Sequence, residues 1–289
     1  MKLISLILSV AMMLGAFIYS RTPLFGMRCE LLTDVAYGES ENEKMDVYIP
    51  KRAVKRGESG AIIFIHGGSW SGGDKSEGDA FCRAFASLGY VTATVNYTLY
   101  NGENDNTHTA EAMLDEIDAA LVCLKELSAE RGISITAAAT AGYSAGAHLA
   151  LLYAYSRADT ATIPIGFTAS MVGPADFSEK IWGDTGPSLA SKLSGVEITD
   201  SDSRKLAISA ASPVAYISER SVPTLLAYGG RDELVAAANG ESVKNKLDVA
   251  GVRCDYILFP SSGHGLNRNP IKFAKYFGLL REYARAYLE

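Results

Sequence analysis

Histidine is scarce in this chain: four in 289 residues, at positions 66, 108, 148 and 264. Chemistry that needs an imidazole therefore has few candidates. Cysteine is equally rare, at 29, 82, 123 and 254, with no C-x-x-C and no His/Cys cluster, so a zinc site is not indicated. Wide spacing also hides any disulfide connectivity, and most of these residues read as buried thiols. No basic tract is present and the net charge is −6, which argues against nucleic-acid binding. There is no internal repeat, and no Gly/Ser-rich or like-charge stretch long enough to be a linker. A chain of 289 residues without linkers reads as one domain near the upper size for a single core.

Long apolar runs are absent except at the start. Met1-Lys2 precedes Leu3–Tyr19, which is uncharged and mostly apolar; Arg21 and Arg28 follow. Residues 1–27 read as a signal peptide or an uncleaved N-terminal anchor, although no A-x-A cleavage site is visible. A buried N-terminal helix is the competing reading. Export places the remainder, 28–289, outside the cytoplasm, secreted or tethered to the membrane.

The remaining sequence is organised around Ala139–Ala150, ATAGYSAGAHLA. Small apolar residues at 137–141 suit a tightly packed central strand, and Ala145–Arg157 suits an apolar helix. Between them stands Gly142-Tyr143-Ser144-Ala145-Gly146, a G-x-S-x-G pattern. A serine on a sharp strand-to-helix turn needs strained backbone, and a glycine two residues away on either side lets strand and helix approach. Such a turn exposes the Ser144 hydroxyl as a nucleophile and aims the Ala145 amide at the same point.

A second signal lies upstream. Ile62–Ile65 reads as a buried parallel strand, and His66-Gly67-Gly68-Ser69-Trp70 follows it. Consecutive glycines let backbone N–H groups approach a developing oxyanion, so Gly67 and Gly68 join Ala145 as its donors. Trp70 is a candidate for the substrate pocket, or a packed residue of the turn.

The nucleophile needs a base and an acid to orient it. His66 belongs to the glycine segment. His148 lies on the nucleophile's own helix and reads as a core residue, and His108 reads as a surface residue. His264, in Ser261-Ser262-Gly263-His264-Gly265, follows the strand-like Cys254–Phe259; loops at such strand ends carry the chemistry of α/β sheets. It is the base. Pro223–Tyr228 reads as another buried strand, followed by Gly229-Gly230-Arg231-Asp232-Glu233. Asp232 is the acid, with Glu233 the neighbouring alternative. A plain N-cap role for Asp232, before a helix starting near Val235, competes with this.

Taken in order, HGGSW, GYSAGAHLA, GGRD and SGHG resemble the esterase/lipase branch of the α/β-hydrolase superfamily. The likeness is greatest to bacterial carboxylesterase-like and kynurenine-formamidase-like members, which share HGG-x-W. It runs from about Val35 to the C-terminus. Ser69 stands where the hormone-sensitive-lipase-like branch has a third glycine, and Asn96-Tyr97-Thr98 where that branch has a DYR-type segment. The resemblance implies a Ser144–Asp232–His264 triad, an oxyanion hole from Gly67, Gly68 and Ala145, and a small-molecule carboxylic ester, with a short acyl or acetyl group, as the expected substrate. No cofactor and no metal are implied. An amide hydrolase of the arylformamidase kind would use the same residues, and a non-catalytic binding module on this fold is the reading from another class.

The rest fits an α/β-hydrolase fold: a mostly parallel central sheet with helices on both faces. Lys44–Ile49 alternates like an early antiparallel strand. Tyr90–Tyr97 is strand-like, and Glu77–Leu88 is a helix before it. Thr107–Arg131 forms a long helix, with Ala112, Ile117, Leu121, Leu124 and Leu127 as its buried stripe and Gly132 as its stop. Ile165–Val172 is a further apolar run. Residues 175–212 are the least regular part and read as a small cap or lid, with Trp182 lining a pocket or packing the lid. Asn96-Tyr97-Thr98 is also a formal glycosylation sequon at a strand end.

Overall fold

A computed structural model describes residues 29–100 and 108–289. The N-terminal stretch read as signal or anchor lies outside the described residues. Among those described, no helix is long and apolar enough to cross a membrane.

Eight strands form one sheet in the order β1-β2-β4-β3-β5-β6-β7-β8. Their ranges are β1 Cys29–Ala36, β2 Lys44–Pro50, β3 Glu58–Ile65, β4 Val91–Val95, β5 Ser134–Tyr143, β6 Ile165–Met171, β7 Thr224–Gly229 and β8 Cys254–Phe259. β2 runs antiparallel to both its neighbours, β1 and β4. The other pairings, from β4 through β3, β5, β6 and β7 to β8, are parallel. The parallel strands inside the sheet are largely buried on both faces, and this is why they read as unbroken apolar runs rather than alternating ones.

Helices cover both faces. The described helices are α1 Lys51–Arg56, α2 Asp79–Leu88, α3 Ala110–Glu130, α4 Ala145–Ser156, α5 Glu179–Trp182, α6 Thr185–Ser194, α7 Ser201–Ala211, α8 Ala238–Val249 and α9 Pro270–Tyr287. One core layer joins the sheet to α3, α4 and α8, through Leu121, Leu149 and Val243 among others. The other joins it to α2 and α9, through Phe85, Phe167, Tyr276 and Leu280. In α3, Ile117, Leu121 and Leu124 are buried as the stripe predicts. Ala112 and Leu127 are only half-buried, and Met113 and Leu114 take the inner face near the start. Gly132 follows the helix with a left-handed φ of 71°.

Four sequence expectations need correction. Residues 175–212 are mostly helical, as α5, α6 and α7. Their Ser-, Lys- and Asp-rich turns obscure the period, but Asp200 caps α7 in a reciprocal box with Ser203. The helix expected near Val235 begins at Ala238. Of the cysteines, only Cys82 is buried; the other three are half-buried and all four are free. His108 is half-buried rather than on the surface.

An ionic cluster fastens the antiparallel edge. The Lys75 ammonium lies 2.7 Å from the Asp46 carboxylate and 3.0 Å from that of Asp34. Burial pushes this ammonium down, but the two carboxylates outweigh burial and raise it. Asn96 works beside it. Its carbonyl accepts from the Lys75 amide, and its Nδ2 donates to Asp74. The sequon side chain is thus already engaged.

Candidate active site

All the residues singled out for chemistry lie where strands end. Ser144 sits between β5 and α4 at φ 54° and ψ −119°, a left-handed-side backbone that costs a non-glycine residue energy. The two glycines around it are required by contact. A Cβ at Gly142 would lie 2.4 Å from the Gly146 carbonyl carbon, and one at Gly146 would lie 2.1 Å from the Ile65 carbonyl oxygen. The Ser144 amide donates to the Met171 carbonyl at 2.9 Å, which ties the turn to the end of β6.

Three side chains form a line. His264 Nε2 lies 2.9 Å from Ser144 Oγ, and His264 Nδ1 lies 2.8 Å from Asp232 Oδ2. The Asp232 side chain is fully buried while that of His264 is 20% exposed, so the imidazole alone reaches towards solvent. Asp232 Oδ1 accepts from the amides of Leu234 and Val235, at 2.9 and 3.0 Å. Burial pushes the Asp232 carboxyl up, but the bonds from His264 and these two amides outweigh it, and the group stays below its ordinary value. One oxygen of Asp232 thus closes a turn, short of capping the helix that begins at Ala238, and the other faces the histidine. Glu233 points to solvent.

The loops carrying Asp232 and His264 are locked together. The Arg231 amide donates to the Ser262 carbonyl at 2.9 Å. A Cβ at Gly229 would come within 2.5 Å of the Gly263 carbonyl. Tyr143, immediately before the serine, adds a contact that the sequence did not signal. Its hydroxyl donates to the His264 carbonyl at 2.8 Å, and its ring meets the imidazole edge-on at 5.4 Å.

The glycine segment after β3 runs against this line. A Cβ at Gly67 would be 3.3 Å from Ser144 Cβ and 3.0 Å from the Tyr143 carbonyl, so the Gly67 backbone abuts the serine turn. Gly68 has φ 110°, and Ser69 and Trp70 follow at 55° and 59°. Three successive left-handed residues make a strained loop, held by bonds from the Ser71 and Gly72 amides to the Gly68 carbonyl. Ser69 thus adopts a conformation that glycine would take at no cost. Ala145 opens α4, and its N–H belongs to the first turn, which has no helical acceptor. His66 stacks on Tyr97 at 4.5 Å, beneath the loop.

Both tryptophans take the packed one of the two positions open to them. Trp70 is buried, and its indole N–H donates to His148 Nδ1 at 3.1 Å. An accepting Nδ1 means that His148 Nε2 carries the proton, which goes to the Ala211 carbonyl at 2.8 Å. Burial pushes the His148 imidazole down to about 4, so it is neutral. Trp182 stacks on Phe177 at 5.8 Å, and Phe177 also meets Trp70 at 6.3 Å. Both indoles therefore pack around Phe177, where the excursion 175–212 joins α4, and neither lines the cleft beside Ser144. Among the described residues, no group of three His, Cys, Asp or Glu side chains is placed to hold a metal.

A family model described as BD-FAE matches residues 45–247, well over half of the chain. The chain belongs to the BD-FAE family. The BD-FAE match begins in β2 and ends within α8, so it spans Ser144 and Asp232 and stops short of His264. Among curated relatives, kynurenine formamidase of Danio rerio is 30% identical over 125 residues, covering 43% of this chain and 38% of that protein. Esterase LipQ of Mycobacterium tuberculosis (strain ATCC 25618 / H37Rv) is 22% identical over 259 residues, covering 81% of this chain and 57% of LipQ. The chain thus spans less than two thirds of the length of these relatives. The fold is shared with a carbohydrate esterase from gut microbiota, in truncated form, at TM-score 0.71 and 19% identity over 89% of this chain and 97% of that one. It is shared equally with esterase B of Lactobacillus rhamnosis, at TM-score 0.71 and 20% identity over 96% and 93%. These likenesses show that the BD-FAE chain shares the α/β-hydrolase fold of those proteins.

Proposed function

We propose that this protein is a serine hydrolase that cleaves carboxylic esters of small molecules through an acyl-enzyme. The observation that carries the reading is the unbroken line from Ser144 Oγ through His264 to buried Asp232. In this reading His264 Nε2 takes the hydroxyl proton as Ser144 Oγ attacks the ester carbonyl. The amides of Gly67, Gly68 and Ala145 stabilise the oxyanion. His264 then gives its proton to the leaving alcohol, and the carbonyl re-forms as an acyl-Ser144. Water, deprotonated by His264, attacks that acyl group; the acid leaves and Ser144 recovers its proton. Asp232 holds Nδ1–H and stabilises the imidazolium in both halves. No cofactor or metal enters these steps.

The test is hydrolysis of p-nitrophenyl acetate and butyrate beside Ser144→Ala. We expect turnover by the parent and a loss of several orders of magnitude in the variant. Equal rates in both would remove Ser144 from the reaction. The similarity to kynurenine formamidase supports a second reading, in which the same line of residues opens an N-formyl aromatic amide. A kcat/KM for such an amide above that for every ester tested would establish it. The apolar Leu3–Tyr19 supports export or tethering outside the cytoplasm; cell fractionation of the full chain tests this, and a purely cytosolic protein would overturn it.

A further inference from the structure

The helices α2 and α9 each carry more apolar surface than the core uses. In α9 the sheet is met by Tyr276, Leu280, Tyr283 and Ala284. Next to these, Pro270, Phe273, Ala274 and Phe277 form an adjoining stripe, spaced i, i+3, i+4, i+7, in which Phe273 and Phe277 also pack against the core. In α2, Ala80, Phe81 and Ala84 face it, and Glu77 from the turn before α2 also lines the space between. This space is a cleft of about 660 Å³. Its walls are Phe81 and Ala84 on one side and Phe273 and Phe277 on the other. The Phe81 and Phe277 rings stand 6.5 Å apart. Alanines at 80, 84 and 274 leave room that larger side chains would fill.

The position of this cleft decides its use. Tyr143, next to Ser144, and Gly265 and Leu266, close to His264 in the chain, are among its lining residues. The space therefore opens from the residues that flank both the nucleophile and the base. Pockets of this size with mostly apolar walls, next to reactive groups, hold the non-reacting part of a substrate. Such binding energy is used to orient the ester carbonyl.

We propose that the α2/α9 cleft binds a medium-length hydrocarbon chain of the ester, with Phe81, Ala84, Phe273, Ala274 and Phe277 setting its length. The inference rests on the esterase reading and names the substrate class for it. An acyl chain and an alcohol chain present the same chemistry to these walls, so the two sources are separated by experiment. In the full-length protein, p-nitrophenyl octanoate carries the chain on the acyl side and octyl acetate on the alcohol side. Whichever is held should exceed its short-chain counterpart at least tenfold in kcat/KM. At about 0.8 kcal/mol per buried methylene, a few methylenes suffice for that factor.

Ala84→Trp and Ala274→Trp would plug the cleft from opposite walls, and neither touches Ser144, Asp232 or His264. Each should cut kcat/KM for the favoured long ester at least tenfold and leave p-nitrophenyl acetate within twofold. Plugs that leave the long ester untouched, or that lower both substrates equally, would overturn the proposal. A second measurement does not depend on turnover. Octanoic acid should bind Ser144→Ala in calorimetry and lose that binding when either plug is added. Retained binding would reject the cleft, whereas absence of ester turnover with cleft binding intact would count against the reaction alone. A photoreactive residue at position 84 of the full chain that crosslinks into residues 3–19 would assign the cleft to the chain's own N-terminal stretch, and would also overturn the proposal.

Discussion

Tyr143 shows how much of the site depends on a residue with no chemistry of its own. Its hydroxyl ties the backbone of the His264 loop to the strand that ends in Ser144. Losing one such bond is worth about 1 kcal/mol. Tyr143→Phe should accordingly lower kcat on p-nitrophenyl acetate by roughly fivefold to tenfold, with KM unchanged. Steady-state kinetics check this, and an equal rise in KM would show that the hydroxyl serves binding instead. Neighbouring positions explain why some residues were legible and others were not. Ser144 and His264 stand in short patterns whose glycines answer to backbone contacts, and such constraints survive in sequence. Asp232 and Glu233 are chemically alike and adjacent. Only the turn that points one inwards and the other outwards separates them. Trp70 was ambiguous for another reason: an indole suits a ligand pocket and a core equally, and its partner, His148, is 78 positions away.

At the scale of elements, α4 links the Ser144 turn to the helical excursion. His148, on α4, is buried and neutral, bridging Trp70 and the end of α7. Unfolded, this imidazole takes up a proton below about pH 6.5. Folded, it resists protonation until about pH 4. The unfolded state thus binds the extra proton between these values. Stability is fully present above pH 6.5 and falls as pH drops towards 4, by up to about 1.4 kcal/mol per unit from this group. His66, also pushed down by burial, acts in the same direction. Urea midpoints between pH 4 and 7 should show the slope, and His148→Gln should flatten it. An unchanged slope in the variant would assign the dependence elsewhere. Elements were read well where burial is two-sided. Ile62–Ile65, buried throughout, falls at the end of β3, and Ala145–Arg157 matches α4 to within one residue. The strand β1 and the helix α9 were not anticipated. β1 lies at a sheet edge with half-exposed residues, and α9 spreads apolar residues over two stripes, so neither shows one clean period.

For the whole molecule, the parallel sheet was legible because its apolar runs alternate with helical patterns along the chain. The docking of residues 175–212 was not, since it depends on Asn239, Ser212 and Phe177, each far in sequence from what it touches. The Asn239 carbonyl accepts from the amides of Ala175 and Asp176, and the Ser212 hydroxyl accepts from that of Phe177. This arrangement has an optical consequence. The chain holds only two tryptophans, and both pack against Phe177. Intrinsic emission excited at the red edge therefore reports one spot, the seam between the excursion and α4, and is silent about the rest of the sheet. If the excursion detaches before the sheet unfolds, a red shift in tryptophan emission should precede the loss of far-ultraviolet ellipticity along a urea titration. Coincident transitions would mean that seam and sheet melt as one unit. With imidazolium a quencher and His148 against Trp70, the same signal should dim as acid reaches the seam, making the protein a fluorescent indicator of its own internal protonation.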